Sequence, residues 1–205
     1  MLDHLVYATP DLPVTLDWFA TNTGLRPRTG GTHPSRGTRN ALLNLGNGAY
    51  LEILATDPGN TTVTGPRWMG VDALDRPRLT RWCVRTPDLT AAATRLTGYH
   101  PALGERGAGS RRTPAGELLR WEMLLPRPDP VVEIAPFCID WSASARHPTE
   151  GMPAELSLLE LRLYHPEPGR LQPLIDALHP GLTVHRAERP LLAATLDTPQ
   201  GRVMI

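Results

Sequence analysis

The sequence contains no lysine and has no net charge. All of its basic residues are arginines, and the 21 arginines balance 21 Asp and Glu residues, so the formal net charge is +0. Binding to nucleic acid or to an anionic membrane surface needs a concentrated positive field, which a neutral chain has only where its charges are unevenly distributed. The composition therefore disfavours both partners and leaves small molecules and proteins.

Long hydrophobic runs are also missing, and cysteine is scarce. No apolar stretch approaches the roughly 18 residues that a membrane-spanning helix requires. Asp3 stands where the N-terminal region of a secretory signal would carry positive charge. Cys83 and Cys138 each lie in a short apolar stretch without an obvious base beside them. We therefore expect a cytoplasmic protein with two buried free thiols, and no disulfide or nucleophilic cysteine.

Motifs that mark several large enzyme classes are missing as well. The chain has no Gly-x-Ser-x-Gly sequence, no phosphate-binding loop and no dinucleotide fingerprint. Serine hydrolase, kinase and dehydrogenase activities are therefore disfavoured.

The most informative feature that is present is an internal repeat. Ala8-Thr9-Pro10-Asp11-Leu12 returns as Arg85-Thr86-Pro87-Asp88-Leu89, each time between a short apolar strand and a helical pattern. Such a repeat indicates a duplicated unit, so every position in one copy has an equivalent in the other. The equivalent of His4 is Arg81.

The pattern of apolar residues predicts the order strand, helix, three strands for each copy, although it locates only two of the three later strands in the first. The predicted elements of the first copy are a strand at 2–8, a helix at 12–23, and strands near 39–45 and 49–55 beyond a loop at 29–37. Those of the second copy are a strand at 79–85, a helix at 89–97, and strands near 99–105, 117–125 and 131–140. A weaker third copy has a strand at 158–164, a helix at 171–178, and strands near 182–187, 190–197 and 202–205.

Tandem units of this kind resemble the vicinal oxygen chelate superfamily, which contains glyoxalase I, extradiol dioxygenases and bleomycin-resistance proteins. The segments Leu2-Asp3-His4-Leu5-Val6-Tyr7-Ala8, Gly30-Gly31-Thr32-His33-Pro34 and Tyr50-Leu51-Glu52-Ile53 are similar to the glyoxalase-like domain family within it. The resemblance implies an α+β fold in which tandem βαβββ modules form a curved mixed sheet around a cup. We expect modules at 1–56 and 79–141 to form a paired cup over residues 1–141, with a third, partial βαβββ unit at 155–205 packed on it.

The resemblance also implies where a site would lie. In the superfamily, the first and last strands of each module direct side chains towards one metal ion in the cup. The first module of this chain offers His4 and Glu52. The second offers Arg81 and, if Val132-Glu133-Ile134 matches Leu51-Glu52-Ile53, Glu133. Arg81 cannot ligate a cation, because its guanidinium stays protonated and has no free lone pair. A divalent cation such as Mn, Fe or Zn on His4, Glu52 and Glu133 therefore remains an alternative, and a site without metal is favoured.

Without a metal, we expect His4, Glu52 and Arg81 to share one cavity. A carboxylate is costly to bury unless it is paired, and Arg81 is the expected partner of Glu52. Such a group could bind an anionic or carbonyl-bearing substrate through Arg81, while His4 or Glu52 acts as the catalytic base. The alternative is a polar cluster with a purely structural role.

The Gly30–Asn40 segment supplies further candidates for substrate binding. Its glycines allow close backbone approach to a ligand, and Arg39 and Asn40 follow as side-chain donors. Arg39 could bind a carboxylate or phosphate through paired hydrogen bonds, or form only a surface ion pair. His33 is a third candidate, although a hydrogen-bonding role within the loop is favoured.

Two classes of function remain. One is a vicinal-oxygen-chelate enzyme, a lyase, isomerase or dioxygenase that acts on an oxygen-rich or anionic small molecule. The other is a non-catalytic protein that sequesters a small molecule, as implied by the likeness to bleomycin-resistance proteins. In either class we expect a homodimer, because the third unit alone would leave an apolar face uncovered.

Overall fold

The fold repeats the order strand, helix, three strands three times. The computed structural model describes residues 1–113 and 116–205. The first unit contains β1 (Leu2–Ala8), α1 (Leu12–Thr23), β2 (Arg28–His33), β3 (Thr38–Gly46) and β4 (Ala49–Thr56). The second contains β5 (Arg78–Arg85), α2 (Leu89–Tyr99), β6 (Arg106–Arg112), β7 (Leu118–Leu124) and β8 (Phe137–Asp140). The third contains β9 (Ser157–His165), α3 (Pro168–Leu178), β10 (Val184–Arg186), β11 (Leu191–Thr198) and β12 (Gly201–Met204). The predicted fold class is confirmed.

The repeated Thr-Pro-Asp segment begins a helix in each of the first two units. The Asp11 side chain accepts a hydrogen bond from the backbone N–H of Val14 at 3.0 Å, and Asp88 accepts one from Ala91 at 2.9 Å. Both aspartates therefore satisfy a backbone donor that the first helical turn leaves without a partner.

The first two units form one eight-stranded sheet in the order β2-β3-β4-β1-β5-β8-β7-β6. Strands β1 and β5 pair antiparallel at its centre, with Leu5 opposite Trp82. Leu5 and Trp82 pack into the hydrophobic core on the helix side, whereas Val6 and Cys83 belong to a second cluster on the other face. That second face is the inside of the cup.

The sheet curls until its two edge strands approach one another. The Arg111 Nη1 atom on β6 donates a hydrogen bond of 2.6 Å to the backbone carbonyl of Gly30 on β2. This contact closes one side of the cup and buries Arg111.

The third unit does not extend the large sheet. Its strands form a separate sheet in the order β10-β9-β11-β12. Leu163, Ile175 and Leu196 of this unit join the same core cluster as Leu5, so the unit covers the outside of the cup. The proposed division into 1–141 and 155–205 stays a prediction.

Some predicted boundaries were wrong. The predicted loop at 29–37 contains most of β2, the strand predicted near 99–105 is a helix end followed by a 3₁₀ turn (Pro101–Leu103), and the strand predicted at 131–140 begins only at Phe137. In the last case, Val131 precedes the strand and its carbonyl accepts a hydrogen bond from Arg81 instead of from a neighbouring strand. Among the helices of the described residues, none has the length and hydrophobicity needed to cross a membrane.

Candidate functional site

The inside of the cup holds a small cavity of about 30 Å³. This volume is well below the roughly 300–1,000 Å³ of typical small-molecule sites. Two residues of a 3₁₀ segment (Trp68–Ala73) close one of its ends. The cavity is lined by His4, His33, Asn40, Tyr50, Glu52, Trp68, Met69, Arg111, Trp121, Met123, Ile139 and Trp141.

A bulge in β1 shapes the base of this site. Leu2 pairs with Val84 and His4 with Cys83, so Asp3 has no partner on β5. Neighbouring residues of a regular strand point to opposite faces, and a bulge changes the direction of a side chain. The Asp3 carboxylate consequently reaches the His4 ring, with 2.6 Å between Asp3 Oδ1 and His4 Nδ1.

Asp3 is fully buried and surrounded by donors. The Trp141 Nε1–H group donates a hydrogen bond of 3.1 Å to Asp3 Oδ2. The same oxygen lies 3.1 Å from Nε2 of His147 and 3.5 Å from Nε of Arg85. Burial by itself raises the pKa of Asp3, but the hydrogen bonds with His147 and His4 outweigh it and hold the pKa well below its usual range. Asp3 is therefore an anion inside the protein.

The ionised Asp3 decides which nitrogen of His4 carries the proton. A carboxylate only accepts hydrogen bonds, so Nδ1 of His4 is the donor and Nε2 is left with a lone pair when the ring is neutral. Tyr50 stacks on the ring with 4.6 Å between centroids, and Phe137 meets it edge-on at 5.2 Å. The ring is thus held in one orientation, with Nε2 at 3.8 Å from Oε2 of Glu52.

Glu52 is positioned by Asn40. The Asn40 Nδ2 atom donates a hydrogen bond of 2.5 Å to Glu52 Oε1, so Oε2 remains for the His4 side of the cavity. Gly30 lies directly behind Asn40, and a Cβ atom at Gly30 would overlap the Asn40 side-chain oxygen. The missing side chain at position 30 therefore makes room for the amide that holds Glu52.

Two polar atoms of the cup wall lack partners within the described part of the chain. These are Asn40 Oδ1, an acceptor, and Trp121 Nε1, a donor. A buried polar group without a partner costs about 1–3 kcal/mol, so a ligand that paired with either atom would recover part of that cost. Burial, followed by the negative charges of Asp3 and Glu52, also raises the pKa of Tyr50 well above its ordinary value, which keeps its hydroxyl protonated.

His33 lies in the same cavity as His4 and Glu52. Its Nδ1 is 3.0 Å from Oγ1 of Thr38. Burial lowers the pKa of His33; the Glu52 charge opposes this effect and the Arg111 charge adds to it. His33 is therefore a neutral member of the cavity wall near neutral pH.

Arg81 does not share the cavity, contrary to our expectation. It lies on the inner face opposite Val6, but its guanidinium turns to the loop after β7. Nη1 donates to the carbonyls of Thr80 (2.7 Å) and Val131 (2.9 Å), and Nη2 to those of Arg127 (3.0 Å) and Pro130 (2.6 Å). Because β1 and β5 are antiparallel, the repeat places His4 and Arg81 at diagonal positions of the strand pair and not opposite each other. The hydrogen bonds with the four carbonyls also hold the guanidinium away from the cavity.

Arg39 and Glu133 are also outside the cavity. Arg39 pairs with Ala55, which belongs to the core on the helix side, so its side chain leaves the sheet away from the cup. Glu133 precedes β8 and binds Arg127 at 2.8 Å. In the sheet register, Val6 on β1 lies opposite Glu52 on β4. The repeat equivalent of Val6 is Cys83 on β5, which lies opposite Phe137 on β8. The structural counterpart of Glu52 in the second module is therefore Phe137.

Among the described residues, the strand positions that face the cup do not supply a full set of ligands for a divalent cation. His4 and Glu52 supply two donors, while the equivalent positions of the second module hold Arg81 and Phe137, which supply none. Catalytic zinc sites usually have three protein ligands. Asp3, His4 and Cys83 also have potential ligand atoms within 4.8 Å of one another. There, burial raises the pKa of the Cys83 thiol well above its ordinary value, and Asp3 and His4 already bind each other.

Asp3, His147, Arg111 and Trp121 are not among the site residues that the sequence predicts. The Asp3 position depends on a bulge, and His147 reaches Asp3 from a loop distant in sequence. Neither contact has a periodic signal that the sequence could reveal.

The comparison with protein families identifies the chain. Residues 2–179 match the family model described as the glyoxalase-like domain. The chain belongs to the glyoxalase-like domain family. A comparison with curated proteins gave no match.

Several solved structures are similar to this glyoxalase-like protein. A hypothetical protein from Staphylococcus aureus is 14% identical and aligns over 93% of this chain and 87% of its own, with a TM-score of 0.66. Methylmalonyl-CoA epimerase from Mycobacterium tuberculosis is 22% identical over 68% of this chain and 85% of its own, with a TM-score of 0.41. A variant of the Streptomyces coelicolor methylmalonyl-CoA epimerase, in complex with 2-nitronate-propionyl-CoA, is 18% identical over 70% of this chain and 96% of its own, with a TM-score of 0.45. The first likeness shows the fold alone, and the two epimerase structures carry no argument about this chain.

Proposed function

We propose that this glyoxalase-like protein is an enzyme that transfers a proton at a carbon next to the carbonyl group of a small, oxygen-rich anion. The observation that carries the proposal is the Asp3–His4–Glu52 arrangement, in which an ionised carboxylate fixes one nitrogen of His4 and leaves the other facing the cavity. A base with an oriented lone pair in a buried cavity is suited to this chemistry. Asp3 acts as a positioning residue.

In the proposed step, the C–H bond next to the carbonyl breaks and His4 Nε2 takes the proton. The electron pair of that bond forms the carbon–carbon double bond of an enolate, and the π pair of the carbonyl moves onto its oxygen, which becomes the oxyanion. Return of a proton from His4 to the same face of the carbon gives hydrogen exchange alone. Protonation at another atom of the enolate gives an isomerisation, and departure of a leaving group from the neighbouring carbon, as the carbonyl forms again, gives a lyase reaction. Trp121 Nε1 is a buried donor available to the oxyanion.

Glu52 and Asn40 would contribute to binding in this proposal. Asn40 holds Glu52 through one oxygen, and the other oxygen is 3.8 Å from His4 Nε2. This spacing places a second proton acceptor beside the first, on the same side of a bound substrate, where it could carry a proton to a neighbouring atom of the enolate. His33 would complete the wall of the substrate site.

The competing function is sequestration of a small molecule without catalysis. The two unpartnered polar atoms, Asn40 Oδ1 and Trp121 Nε1, support a bound ligand in either case. Only the orientation of His4 by Asp3 favours chemistry over binding, because a site that merely holds a ligand has no need for an oriented base.

Exchange of hydrogen for deuterium tests the proposal directly. α-Ketovalerate and α-ketoglutarate, incubated with the protein in deuterium oxide, are followed by proton NMR at the carbon next to the keto group, with and without added Mn²⁺ or Zn²⁺. Catalysed exchange on at least one of them that is lost in His4→Ala supports the enzyme. Binding by calorimetry without exchange supports sequestration. If neither keto acid binds or exchanges, the proposal is wrong.

Three further properties belong to this proposal. We propose that the enzyme works without a tightly held metal, since two donors are too few; a stoichiometric cation lost in both His4→Ala and Glu52→Gln would contradict this.

We propose a homodimer through the sheet of the third unit, where Leu191 and Met204 are exposed on one face, and sedimentation of a monomer would contradict it. A cytoplasmic location is proposed from the two free cysteines, and cell fractionation tests it.

A further inference from the structure

A second cavity adjoins the cup and is much larger. This cleft has a volume of about 280 Å³, close to the lower limit for small-molecule sites. Arg111 lines both the cup and the cleft, and His147 of the cleft also contacts Asp3. Arg28, Arg146 and Glu150 also line the cleft, with Leu42, Leu119 and Met152 as its apolar part.

The size of the cup makes the cleft relevant to the substrate. A cavity of about 30 Å³ accommodates only the reacting end of an organic acid. The rest of the molecule would have to extend past Arg111, whose contact with Gly30 closes that side of the cup, into the cleft that Arg111 also lines.

The cleft carries an excess of positive charge. Arg28 and Arg111 have no carboxylate within ion-pair distance in the described part of the chain, whereas Arg146 is paired with Glu117. The one acidic lining residue, Glu150, accepts a hydrogen bond of 2.9 Å from the backbone N–H of His147. Two unpaired guanidinium groups therefore remain for an anion.

A third cavity, of about 380 Å³, lies beyond Trp68 at the other end of the cup. It is less suited to an anion, because two of its arginines are already paired: Arg67 with Asp72 at 2.7 Å and Arg127 with Glu133 at 2.8 Å. Glu105 and Asp129 add negative charge to its lining.

We propose that the substrate is a dianion whose second oxyanion, a carboxylate or a phosphate, binds Arg28 and Arg111 in the cleft. The inference rests on the proposed function, since it assigns the reacting carbonyl to the cup. Leu42, Leu119 and Met152 provide an apolar wall for the short carbon chain between the two ends. The cleft thus sets the preference for substrates with a charged tail.

The test compares three probes that share a keto acid end. α-Ketoglutarate ends in a carboxylate, its phosphonate analogue ends in a phosphonate, and α-ketovalerate has an uncharged tail. Exchange rates and KM are measured by NMR, and Kd by calorimetry, for wild type, Arg28→Gln and Arg26→Gln. Arg28 is exposed, so its replacement should leave the fold intact. Arg26 is a matched control, because it is also exposed, lies outside the cleft and pairs with Asp17.

We expect wild type to prefer one of the dianions over α-ketovalerate, and Arg28→Gln to reduce that preference roughly tenfold, the size of one charged hydrogen bond. The stronger of the two dianions identifies the tail as carboxylate or phosphate. Arg26→Gln should behave as wild type. An unchanged preference in Arg28→Gln, with exchange still dependent on His4, would overturn the subsite and leave the proposed function standing. Arg28-dependent binding of a dianion without exchange would support the subsite and overturn the function.

Discussion

Asp3 accepts a hydrogen bond from its own neighbour in the chain, with 2.6 Å between Asp3 Oδ1 and His4 Nδ1. The side chains of adjacent residues in a regular strand point to opposite faces of the sheet and do not meet. The bulge at Asp3 turns its side chain so that it reaches the His4 ring. The pair gives a buried anion and an oriented imidazole from two consecutive residues.

Replacing Asp3 by Asn should lower the exchange rate of the keto acid probe by roughly 10²-fold. The Asn amide can accept from or donate to Nδ1 of His4, and the donating orientation would move the ring proton to Nε2 and remove the free lone pair from the cavity. Nitrogen-15 NMR of His4 reports the tautomer, and the exchange assay reports the rate. Asp17→Asn, at an exposed ion pair, is the control. A tautomer that changes without loss of rate would refute the role of His4.

Replacing Gly30 by Ala should impair the site without unfolding the protein. The new methyl group would displace the Asn40 side chain, which then releases Glu52. We expect at least a roughly tenfold loss in kcat/KM for the keto acid probe, since misplaced groups in a site commonly cost this much. Gly98→Ala is the matched control, because a Cβ atom there meets open space within α2 and should stabilise the helix by up to about 1 kcal/mol. Equal activity of the two variants would contradict the role of Asn40.

The stability of the protein should fall as the pH drops below about 6.5. Burial lowers the pKa of His33, so between its folded and unfolded pKa values the unfolded chain binds more protons. This stability is therefore present above about pH 6.5 and lost below it, by at most about 1.4 kcal/mol per pH unit. Urea unfolding at about pH 7.5 and about pH 5.5, on either side of the unfolded His pKa, measures the loss, and His33→Gln should reduce it. Burial likewise lowers the pKa of His179, but that residue is retained in both proteins.

The sequence predicts the fold better than the site. The repeat identifies β1 and β5 as equivalent strands. The family resemblance indicates His4 and Glu52, and the glycine-rich segment indicates Asn40; these three residues line one cavity together with His33. The predictions that failed depend on the path of individual side chains. Arg81 lies on the expected face, yet it turns to a loop whose carbonyls no sequence pattern reveals.

The matching of Glu133 to Glu52 failed for a different reason. Apolar residues around Glu133 look like a strand, but the backbone there serves the Arg81 contact and β8 begins later, at Phe137. The predicted alignment of the second module with the first was shifted by a few residues. The predicted ligand set therefore contained Glu133 where the structure has Phe137. Asp3 and His147 were missed because a bulge and a long-range loop contact leave no periodic signal.

Replacing Arg81 by Met should destabilise the protein by roughly 3 kcal/mol, because carbonyls of the 127–131 loop would lose a buried charged donor. Burial lowers the pKa of Arg81 to about 10, with the charge of Glu133 opposing and that of Arg127 adding to the effect, so the group is still charged at neutral pH. Urea unfolding measures the loss, with Arg78→Met, at a partly exposed ion pair, as the control. If Arg81 instead served the substrate, Arg81→Met would weaken keto acid binding while the free energy of unfolding stayed within about 0.5 kcal/mol of wild type; that result would restore Arg81 to the site.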